Sequence, residues 1–393
     1  MRFIQIACLI CFSISHSMSK GHAQGTAVQA GKKRLIRIGA AQPRSRLIDW
    51  KLSPADALTR LDQSLEELEG LVHKAGAAGC DVLALPEDTT GLLHWEAGHK
   101  TELKQVLPEA VTRMLDRLGR AAASHNMYLV CCNDTIGEDG AVRNTAFLLG
   151  RTGKEIGRYH KVNMPIGELD RKRGTGFPVF ETRDIGGVGM LICYDMVFPE
   201  AARCLALGGA DIVFHPTLGG AAIGDGDISI AAFRTRAVEN FIYLVVSQRG
   251  GGSMIISPQG TIIAEGHGSD DIAMAEIDPF GGREGGDAVN YQRDMRARLF
   301  RERSPVAFGI LTDPNPPVLK KVPETISIAE AVRIGAKTLT VGNERFREAE
   351  TLARQGKTRE AIAAFEKLRV EFHGSWVDRE AAKRLEQLRG PRK

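Results

Sequence analysis

The sequence predicts an α/β domain built from layers of sheet and helix, followed by a separate helical segment. Between residue 34 and about residue 280, short apolar runs typical of strands alternate with longer stretches whose apolar residues recur at helical spacing. A proline-rich stretch at 311–323 predicts an extended linker, and residues 325–390 after it show the helical pattern. Mixed strands with interspersed helices indicate layers, because each sheet face must be covered by another element.

The first half of the α/β part alternates strand and helix. Leu58, Leu61 and Leu65 recur at helical spacing, and Ser53 is available as an N-cap. The run DVLALPE is almost continuously apolar, as expected for a strand that is buried on both faces. The predicted strands are 34–42, 81–87 and 127–134, and the predicted helices are 54–78 and 107–123.

The second half adds hairpins to this alternation. NTAFLLG and EIGRYHKV are two strand patterns joined by the turn RTGK, which is the sequence pattern of a hairpin. The remaining predicted elements are two strands within 179–195, a helix at 200–207, a strand at 211–217, a helix at 228–241, a strand at 243–248, a hairpin over 253–266 and a strand at 272–278.

The C-terminal segment has three apolar stripes at helical spacing, which must be buried against something. The run LARQGKTREAIAAFEKL resembles a tetratricopeptide-like helix pair. One such repeat cannot bury its own faces, because arrays need about three. The segment is therefore expected to dock on the preceding domain, to help it dimerise or to bind another protein. The first two are favoured, since no second full repeat is visible.

The N-terminus has the layout of a secretory signal peptide over residues 1–23. Arg2 precedes the apolar run FIQIACLICFSI, and the polar stretch after it contains the small residues Gly21 and Ala23. An apolar run of this length is too short for a stable membrane anchor. The sequence thus predicts export to the periplasm or the exterior, with an uncleaved tether or a chance apolar start as the alternatives.

Charge and cysteine content exclude several classes of function. The formal charge of the chain is +4, and 50 basic residues face 48 acidic ones once Arg2 and Lys20 are set aside. That balance gives no electrostatic argument for nucleic acid or an anionic membrane as a partner. Five cysteines remain beyond the signal peptide, an odd number that leaves at least one free thiol. Neither the cysteines nor the histidines have zinc-ligand spacing, so no metal or cofactor is predicted.

Three of the predicted strands end in an ionisable side chain, at the kind of position where α/β proteins build their sites. These side chains are Glu87, Lys161 and Cys193. A thiol nucleophile needs a base to take its proton or a cation to hold the thiolate, and Glu87 and Lys161 can supply them. Lys161 and the backbone N–H of Tyr194 can stabilise an oxyanion. Such a set can attack an amide or nitrile carbon, and water activated by Glu87 can then release the thioester.

Each of these residues also has a structural interpretation. A cysteine in an apolar strand is more often an inert core thiol than a nucleophile. Glu87 can cap a helix and Lys161 can be a solvated surface residue. Spacing alone therefore leaves the catalytic and the structural interpretations open.

The sequence around these residues resembles the carbon–nitrogen hydrolase, or nitrilase, superfamily over about residues 34–305. The blocks that carry the resemblance, in the family's order, are DVLALPE, NTAFLLGRTGKEIGRYHK, LICYDMVFPEAARCLALGGADIVFHP, AFRTRAVENFIYLVVSQ and GSMIISPQGTIIAEG. The resemblance implies a four-layer α-β-β-α sandwich for 34–305, with Glu87 as general base, Lys161 on the oxyanion side and Cys193 as nucleophile. Glu168 matches a second glutamate that holds the lysine in many members.

The resemblance also bears on the substrate. Amidases and carbamoylases commonly have Tyr-Asp after the cysteine, as Tyr194 and Asp195 are here, whereas nitrilases proper usually have Trp-Glu. Val197 stands where members that bind carboxylates often have arginine, so a free α-acid substrate is not expected unless another arginine replaces it. The candidates for that replacement are Arg171, Arg173 and Arg234. Asn163 is a further departure, which alters the pocket without removing a member of the triad.

The sequence thus predicts an exported hydrolase that cleaves a non-peptide amide or N-carbamoyl bond through a cysteine thioester, without a cofactor. A small-molecule substrate and a homo-oligomer, most simply a dimer, are expected. The alternatives are nitrile hydrolysis, acyl transfer to an amine by the same triad, or a catalytically vestigial scaffold whose terminal helices bind a protein partner. The sequence does not identify substrate-binding residues.

Overall fold

Two six-stranded sheets of matching topology form the centre of the molecule. A computed structural model describes residues 35–219, 228–281, 295–322 and 326–390, so the predicted signal peptide at 1–23 lies outside the described residues. The strands are β1 (Ile36–Gln42), β2 (Val82–Ala84), β3 (Tyr128–Ile136), β4 (Val142–Leu149), β5 (Glu155–His160), β6 (Val179–Glu181), β7 (Gly187–Met190), β8 (Ile212–Thr217), β9 (Tyr243–Gln248), β10 (Met254–Ile256), β11 (Ile262–Glu265) and β12 (Asp271–Ile277).

Both sheets have a parallel centre and antiparallel edges. The first sheet has the order β12-β1-β2-β3-β4-β5, in which β1, β2 and β3 run parallel and the outer pairs run antiparallel. The second has the order β11-β10-β9-β8-β7-β6, with β7, β8 and β9 parallel. Because β5 is antiparallel to β4, which is antiparallel to β3, the carboxyl ends of β2 and β5 lie at the same edge of the first sheet.

Helices cover the outer face of each sheet. The helices are α1 (Pro54–Ala77), α2 (Leu93–Gly98), α3 (Leu103–Ser124), α4 (Pro199–Leu207), α5 (Ile228–Asn240), α6 (Met295–Glu302), α7 (Ile328–Lys337), α8 (Asn343–Arg354), α9 (Thr358–Glu371) and α10 (Trp376–Arg389). Side chains alternate along the strands: Val82 and Ala84 pack between the sheets, and Leu83 and Leu85 pack with α1 and α3. Helices α4 and α5 pack on the second sheet. The predicted four-layer α-β-β-α sandwich is therefore confirmed.

Local deviations from the predicted elements have physical reasons. Ser53 caps α1 as expected, and its Oγ accepts a hydrogen bond from the Asp56 N–H at 3.2 Å. Helix α3 begins at Leu103, four residues before the predicted start, and carries Pro108 in its interior. Its buried apolar stripe continues through the proline, and this packing outweighs the lost hydrogen bond. No helix among the described residues has the length and apolar character that a membrane crossing requires.

The segment between the sandwich and the terminal helices is not the simple extended linker that its prolines predict. It contains two 3₁₀-helical segments, Pro305–Thr312 and Pro317–Lys321, each with proline near its first position. Proline favours such positions because its fixed φ suits a helical first turn and its missing N–H needs no partner there. All described residues of 305–322 except the half-buried Pro316 are exposed.

Residues 326–390, here called the helical tail, lie against the sandwich. Helices α8, α9 and α10 bury a common core around Ala349, Phe365 and Val377. Helix α7 and the π-helical turn Thr338–Gly342 that follows it contact the sandwich. Docking on the preceding domain is thus the arrangement found within this chain, whereas the tetratricopeptide-like character of the tail stays a prediction.

Candidate active site

Three strand ends bring the predicted catalytic side chains together. Glu87 follows β2 and Lys161 follows β5, at the shared edge of the first sheet. Cys193 follows β7 in the second sheet. The two sheets pack face to face, so the thiol of Cys193 meets the charged groups across the interface between them.

Lys161 lies between two carboxylates. Its Nζ donates to Glu87 Oε1 at 3.0 Å and to Glu168 Oε2 at 2.8 Å. Lys161 is completely buried, and Glu87 is 2% exposed. The Asn144 side-chain amide donates to the same Glu87 oxygen at 2.8 Å, which fixes the orientation of that carboxylate. We call Glu87, Lys161 and Glu168 the Lys161 cluster.

Burial and neighbouring charges oppose each other in this cluster. Burial disfavours the charged form of Lys161, but Glu168, Glu87 and Cys193 outweigh it, and the pKa of Lys161 lies well above its ordinary value. For Glu87, burial is the largest influence and raises the pKa, even though Lys161 and hydrogen bonds to Lys161 and Cys193 act in the opposite direction. The lysine is therefore a permanent cation, and Glu87 is a stronger base than an exposed glutamate.

Cys193 has an unusual backbone and a protonated thiol. Its φ of +44° lies in the left-handed region, where a residue with a side chain is strained by about 1–3 kcal/mol. Burial and the charge of Glu87 raise the pKa of the thiol to about 12, although Lys161 and a hydrogen bond with Thr217 lower it. At neutral pH the sulfur is thus a thiol whose proton must be taken by a base. Cys193 keeps partial exposure, and the backbone N–H of Tyr194 is the next one along the chain.

Asp195 holds the strained turn in place. Its carboxylate accepts hydrogen bonds from the Tyr159 hydroxyl at 2.7 Å, the Ile192 N–H at 3.0 Å and the Asn163 N–H at 2.8 Å. The Asn163 side-chain amide donates to it as well, at 3.1 Å. The aspartate after Tyr194 and the unusual Asn163 are therefore contact partners, and together they tie the residues after β5 to the turn that carries Cys193.

The arginines considered as replacements at the carboxylate position have other partners. Arg171 is buried and its guanidinium contacts Asp134 Oδ2 at 2.5 Å and Glu96 Oε2 at 3.3 Å. Arg234 donates through Nε to the Gly260 carbonyl at 2.7 Å. Arg173 is exposed. Two of the three candidates are thus engaged in structural contacts.

Glu96, Asp134 and Arg171 form a second buried group of charges, here called the Arg171 cluster. Burial and then Asp134 raise the pKa of Glu96 well above its ordinary value. Burial also acts on Asp134, but Arg171 and a hydrogen bond from Glu96 outweigh it and lower the pKa of Asp134. The cluster adjoins the Lys161 cluster through the backbone, since the Arg171 N–H donates to the Glu168 carbonyl at 3.0 Å. Sequence reasoning missed this cluster, because its members come from separate parts of the chain without a shared motif.

A further residue that sequence reasoning missed is Arg249, which follows β9. Its guanidinium donates to the backbone carbonyls of Glu87 and Asp88, at 3.3 Å for Glu87, and pairs with the Asp88 carboxylate at 3.3 Å. Asp88 has a φ of +52°, and burial raises its pKa to about 6 against the opposing charge of Arg249. Arg249 thus fixes the turn that presents Glu87. The only sequence signal is its position at a strand end.

The residues after the glutamate block are packing residues. Trp95 is fully buried, donates through Nε1 to the Leu52 carbonyl at 2.9 Å and stacks on His99. His94 is buried against the helical tail, where the Asn343 amide lies 2.8 Å from its Nδ1. Burial lowers the pKa of His94 to about 4, so it is neutral at physiological pH.

The family comparison covers most of the sandwich. A family model described as carbon-nitrogen hydrolase matches residues 37–283. A deaminated glutathione amidase from Synechocystis is 31% identical over 244 residues, which cover 56% of this chain and 87% of the relative. A nitrilase from Pyrococcus abyssi is 31% identical over 233 residues, covering 55% and 84%. An N-carbamoylputrescine amidase from Arabidopsis thaliana is 26% identical over 274 residues, covering 62% and 88%.

A solved structure has the same fold. The crystal structure of an amidase from Nesterenkonia sp. superposes with a TM-score of 0.52 at 24% identity. The match covers 69% of this chain and 97% of that protein. The sandwich is therefore the part that this chain shares with these proteins. The helical tail lies outside the residues that the family model matches.

Proposed function

The chain belongs to the carbon–nitrogen hydrolase family and is an amidase-type hydrolase of non-peptide C–N bonds, and we propose that it works through a triad of Glu87, Lys161 and Cys193. The proposed substrate is a small molecule with an amide or N-carbamoyl bond. Tyr194 and Asp195 after the cysteine support this choice over a nitrile. The two amidase relatives have different named substrates, so they support the bond type and not a particular acyl group. The relative from Pyrococcus abyssi is named a nitrilase and supports the alternative bond.

In the first half of the reaction the substrate is cleaved and acylates the enzyme. Cys193 Sγ attacks the carbonyl carbon while Glu87 takes the thiol proton, which is required because the thiol is protonated at neutral pH. The oxyanion of the tetrahedral intermediate is stabilised by the Lys161 ammonium and the Tyr194 backbone N–H. Glu87 then returns the proton to the nitrogen, the C–N bond breaks, and ammonia or an amine leaves a thioester on Cys193.

In the second half of the reaction water hydrolyses the thioester. Glu87 takes a proton from the water, the resulting hydroxide attacks the thioester carbon, and the same donors stabilise the second oxyanion. The C–S bond breaks, the thiolate recovers a proton from Glu87, and the acid product leaves. Glu168 contacts Lys161 throughout and keeps it in position.

The observation that carries this proposal is the placement of a buried ammonium between two carboxylates next to a cysteine with positive φ. Buried charges and strained backbone both cost free energy, and they persist together where they serve a function. An inert core thiol explains neither the strain at Cys193 nor the burial of Lys161.

The test is a screen of small amides, N-carbamoyl compounds and nitriles for ammonia release, with mass spectrometry of the acid-quenched enzyme. We expect release from an amide or carbamoyl compound and an added acyl mass on the peptide that contains Cys193. Cys193→Ala should fold normally and lose at least about 10⁴-fold in turnover. Cys204→Ala, which changes an exposed thiol on α4, should keep full activity. Full turnover in Cys193→Ala would exclude the mechanism, and release from nitriles alone would exclude the substrate class.

Export and self-association are further parts of the proposal. The signal-like residues 1–23 support export, and N-terminal sequencing of the mature protein should then begin close to residue 24. An intact Met1 would count against it. A homodimer is expected, and light scattering on a sizing column should give about twice the mass of the mature chain, which is smaller than the 42.7 kDa of the full sequence.

A further inference from the structure

We propose that the helical tail is part of the active-site machinery, and that Gly335 on α7 is a positioning residue that seats the turn carrying Glu168. The inference rests on the proposed role of Glu168 as the partner of Lys161. It goes beyond that role by assigning a catalytic task to a segment outside the matched family region, 37–283.

The contact between the tail and the turn is a backbone-to-backbone approach. Helix α7 packs on the short 3₁₀ turn Ile166–Glu168. A Cβ on Gly335 would lie 2.5 Å from the Gly167 Cα, and a Cβ on Gly167 would lie 3.3 Å from the Gly335 Cα. Side chains essentially never approach a backbone atom to 2.5 Å, so only glycine at 335 permits this approach.

Besides α7, the turn is held by a hydrogen bond from the Arg171 N–H to the Glu168 carbonyl at 3.0 Å. Ile166 is 54% exposed, and no residue of the turn is fully buried. Its internal support is a bond from the Glu168 N–H to the Pro165 carbonyl at 2.9 Å. Glu168 directly follows Gly167, and its carboxylate reaches Lys161 at 2.8 Å. A displacement of Gly167 therefore moves the adjacent Glu168, whose carboxylate contacts Lys161.

On the other side of the contact, α7 is joined to the rest of the tail. The π-helical turn Thr338–Gly342 joins α7 to α8, and such turns are frequent at functional sites. The Lys337 ammonium pairs with Glu371 at 3.0 Å and lies over the Phe372 ring. These contacts connect α7 to the core of the tail, while α7 also contacts the turn Ile166–Glu168.

Two further contacts join the tail to the sandwich. The Asn343 amide binds His94 on α2, and Lys51 pairs with Glu344. Between these contacts lies a cleft of about 560 Å³, lined by loop 47–50 and by α8. The cleft leaves the tail touching the sandwich through narrow contacts, among which the glycine pair is the one next to Glu168.

The experiment compares Gly335→Ala with Glu168→Gln and with the combined variant, in the full chain. The readout is the rate at which iodoacetamide alkylates Cys193, followed on the peptide by mass spectrometry. Glu168 raises the pKa of the Cys193 thiol, whereas Lys161 lowers it and is still held by Glu87, so withdrawal of the Glu168 carboxylate should speed alkylation. We expect about tenfold faster alkylation in each single variant. We expect no further acceleration in the combined variant, because both changes act through the same contact.

The control is Gly70→Ala on α1. Gly70 is also a helical glycine, but a Cβ there meets nothing within 4 Å, so this variant should alkylate like the wild type. If Gly335→Ala does not fold, Gly167→Ala disturbs the same contact from the other side, at the milder distance of 3.3 Å. Its alkylation should be accelerated by a smaller factor.

The outcomes separate the two proposals. A wild-type alkylation rate in Gly335→Ala, or equal acceleration of alkylation by that change with and without Glu168, would overturn the positioning role and leave the proposed function intact. A second outcome is that Cys193 is alkylated and the two changes are not additive, as expected, but the enzyme hydrolyses no amide or carbamoyl compound. This outcome would support the positioning role and reject the proposed function. An inert Cys193 in the wild type would reject both.

Discussion

The Lys161 cluster and the Arg171 cluster are built alike and differ in what lies next to them. Each places one buried cation between carboxylates that come from distant parts of the chain. Arg171 uses its planar fork to reach Asp134 and Glu96, and an arginine stays charged at any working pH. Lys161 is a compact cation whose neighbourhood also contains the Cys193 thiol.

Buried carboxylates around a cation do not by themselves mark a reactive site. Both clusters have a glutamate whose pKa is raised by burial, Glu87 in one and Glu96 in the other. Glu96 is hydrogen-bonded to Asp134, so its proton is held within the cluster. Glu87 accepts a hydrogen bond from Lys161 and also interacts with the Cys193 thiol, so it is placed to receive the proton of that thiol.

Among the changes that test this comparison of the two clusters, Glu87→Gln should have the largest effect. An amide cannot take the thiol proton, so kcat/KM for the amide or carbamoyl substrate should fall by about 10²–10⁴-fold. The measurement is initial-rate ammonia release at saturating and limiting substrate. Wild-type rates would show that the two clusters do not differ in function, and the comparison would fail.

The second test removes the cation of the other cluster. Arg171→Met leaves Asp134 and Glu96 buried without their partner, and loss of one member of a buried pair costs about 3–5 kcal/mol. We expect that loss in the free energy of unfolding, measured by urea titration, with turnover per folded molecule largely kept. Arg173→Met, which changes an exposed neighbour, should alter the free energy of unfolding by no more than about 0.5 kcal/mol. Lost turnover with unchanged stability would assign Arg171 a role in the chemistry.

The sequence predicted the parts of the molecule that depend on local patterns. The strands that end near Glu87, Lys161 and Cys193 were predicted because their apolar runs are continuous, and the side chains that follow them stood out as charged or reactive. The resemblance to a family supplied Glu168. Helix α2 was missed because it has six residues, too few for a helical periodicity to be recognised.

What the sequence did not predict depends on contacts between distant residues. The partnership of Asn163 with Asp195 spans 32 positions, and that of Glu96 with Arg171 spans 75. Neither pair shares a motif or a spacing rule. The approach of Gly335 to Gly167 was equally hidden, since a glycine in a helical pattern ordinarily lowers the confidence in a helix and says nothing about what packs against it.

The third prediction concerns the pH dependence of turnover. Glu87 must be ionised to accept a proton, so kcat/KM should rise with pH through a pKa above that of an ordinary glutamate, about 4.3. Burial is the main cause, and the charge of Glu168 adds to it. Glu168→Gln should therefore move the acidic limb of the profile to lower pH. Lys161 should stay protonated through the ordinary alkaline range, because its pKa is raised.

A pH profile of kcat/KM from about pH 4 to pH 9 measures this limb. An acidic limb that stays in place in Glu168→Gln would show that Glu168 does not act on Glu87. A limb that lies at or below the ordinary glutamate pKa in the wild type would show that Glu87 is not the base.

The smallest expected effect is that of Glu96→Gln, which is the counterpart of Glu87→Gln in the Arg171 cluster. Glu96 is 1% exposed and burial raises its pKa well above the ordinary value, which favours its protonated form, and a glutamine amide can donate to Asp134 in place of that form. The free energy of unfolding should change by less than about 1 kcal/mol at pH 7, and turnover should be unaffected.

The pH dependence of the difference in unfolding free energy between the Glu96→Gln variant and the wild type tests the protonation of Glu96. Folded Glu96 binds its proton more tightly than the unfolded chain does, so its contribution to stability is fully present below the unfolded pKa of about 4.3 and is lost as the pH rises towards the folded pKa. Glutamine does not titrate. Urea unfolding of both proteins from pH 4 to pH 8 should therefore show the variant gaining stability relative to the wild type as the pH rises. A constant difference over that range would mean that Glu96 is ionised in the folded protein, and the Arg171 cluster would then hold two carboxylates on one cation, as the Lys161 cluster does.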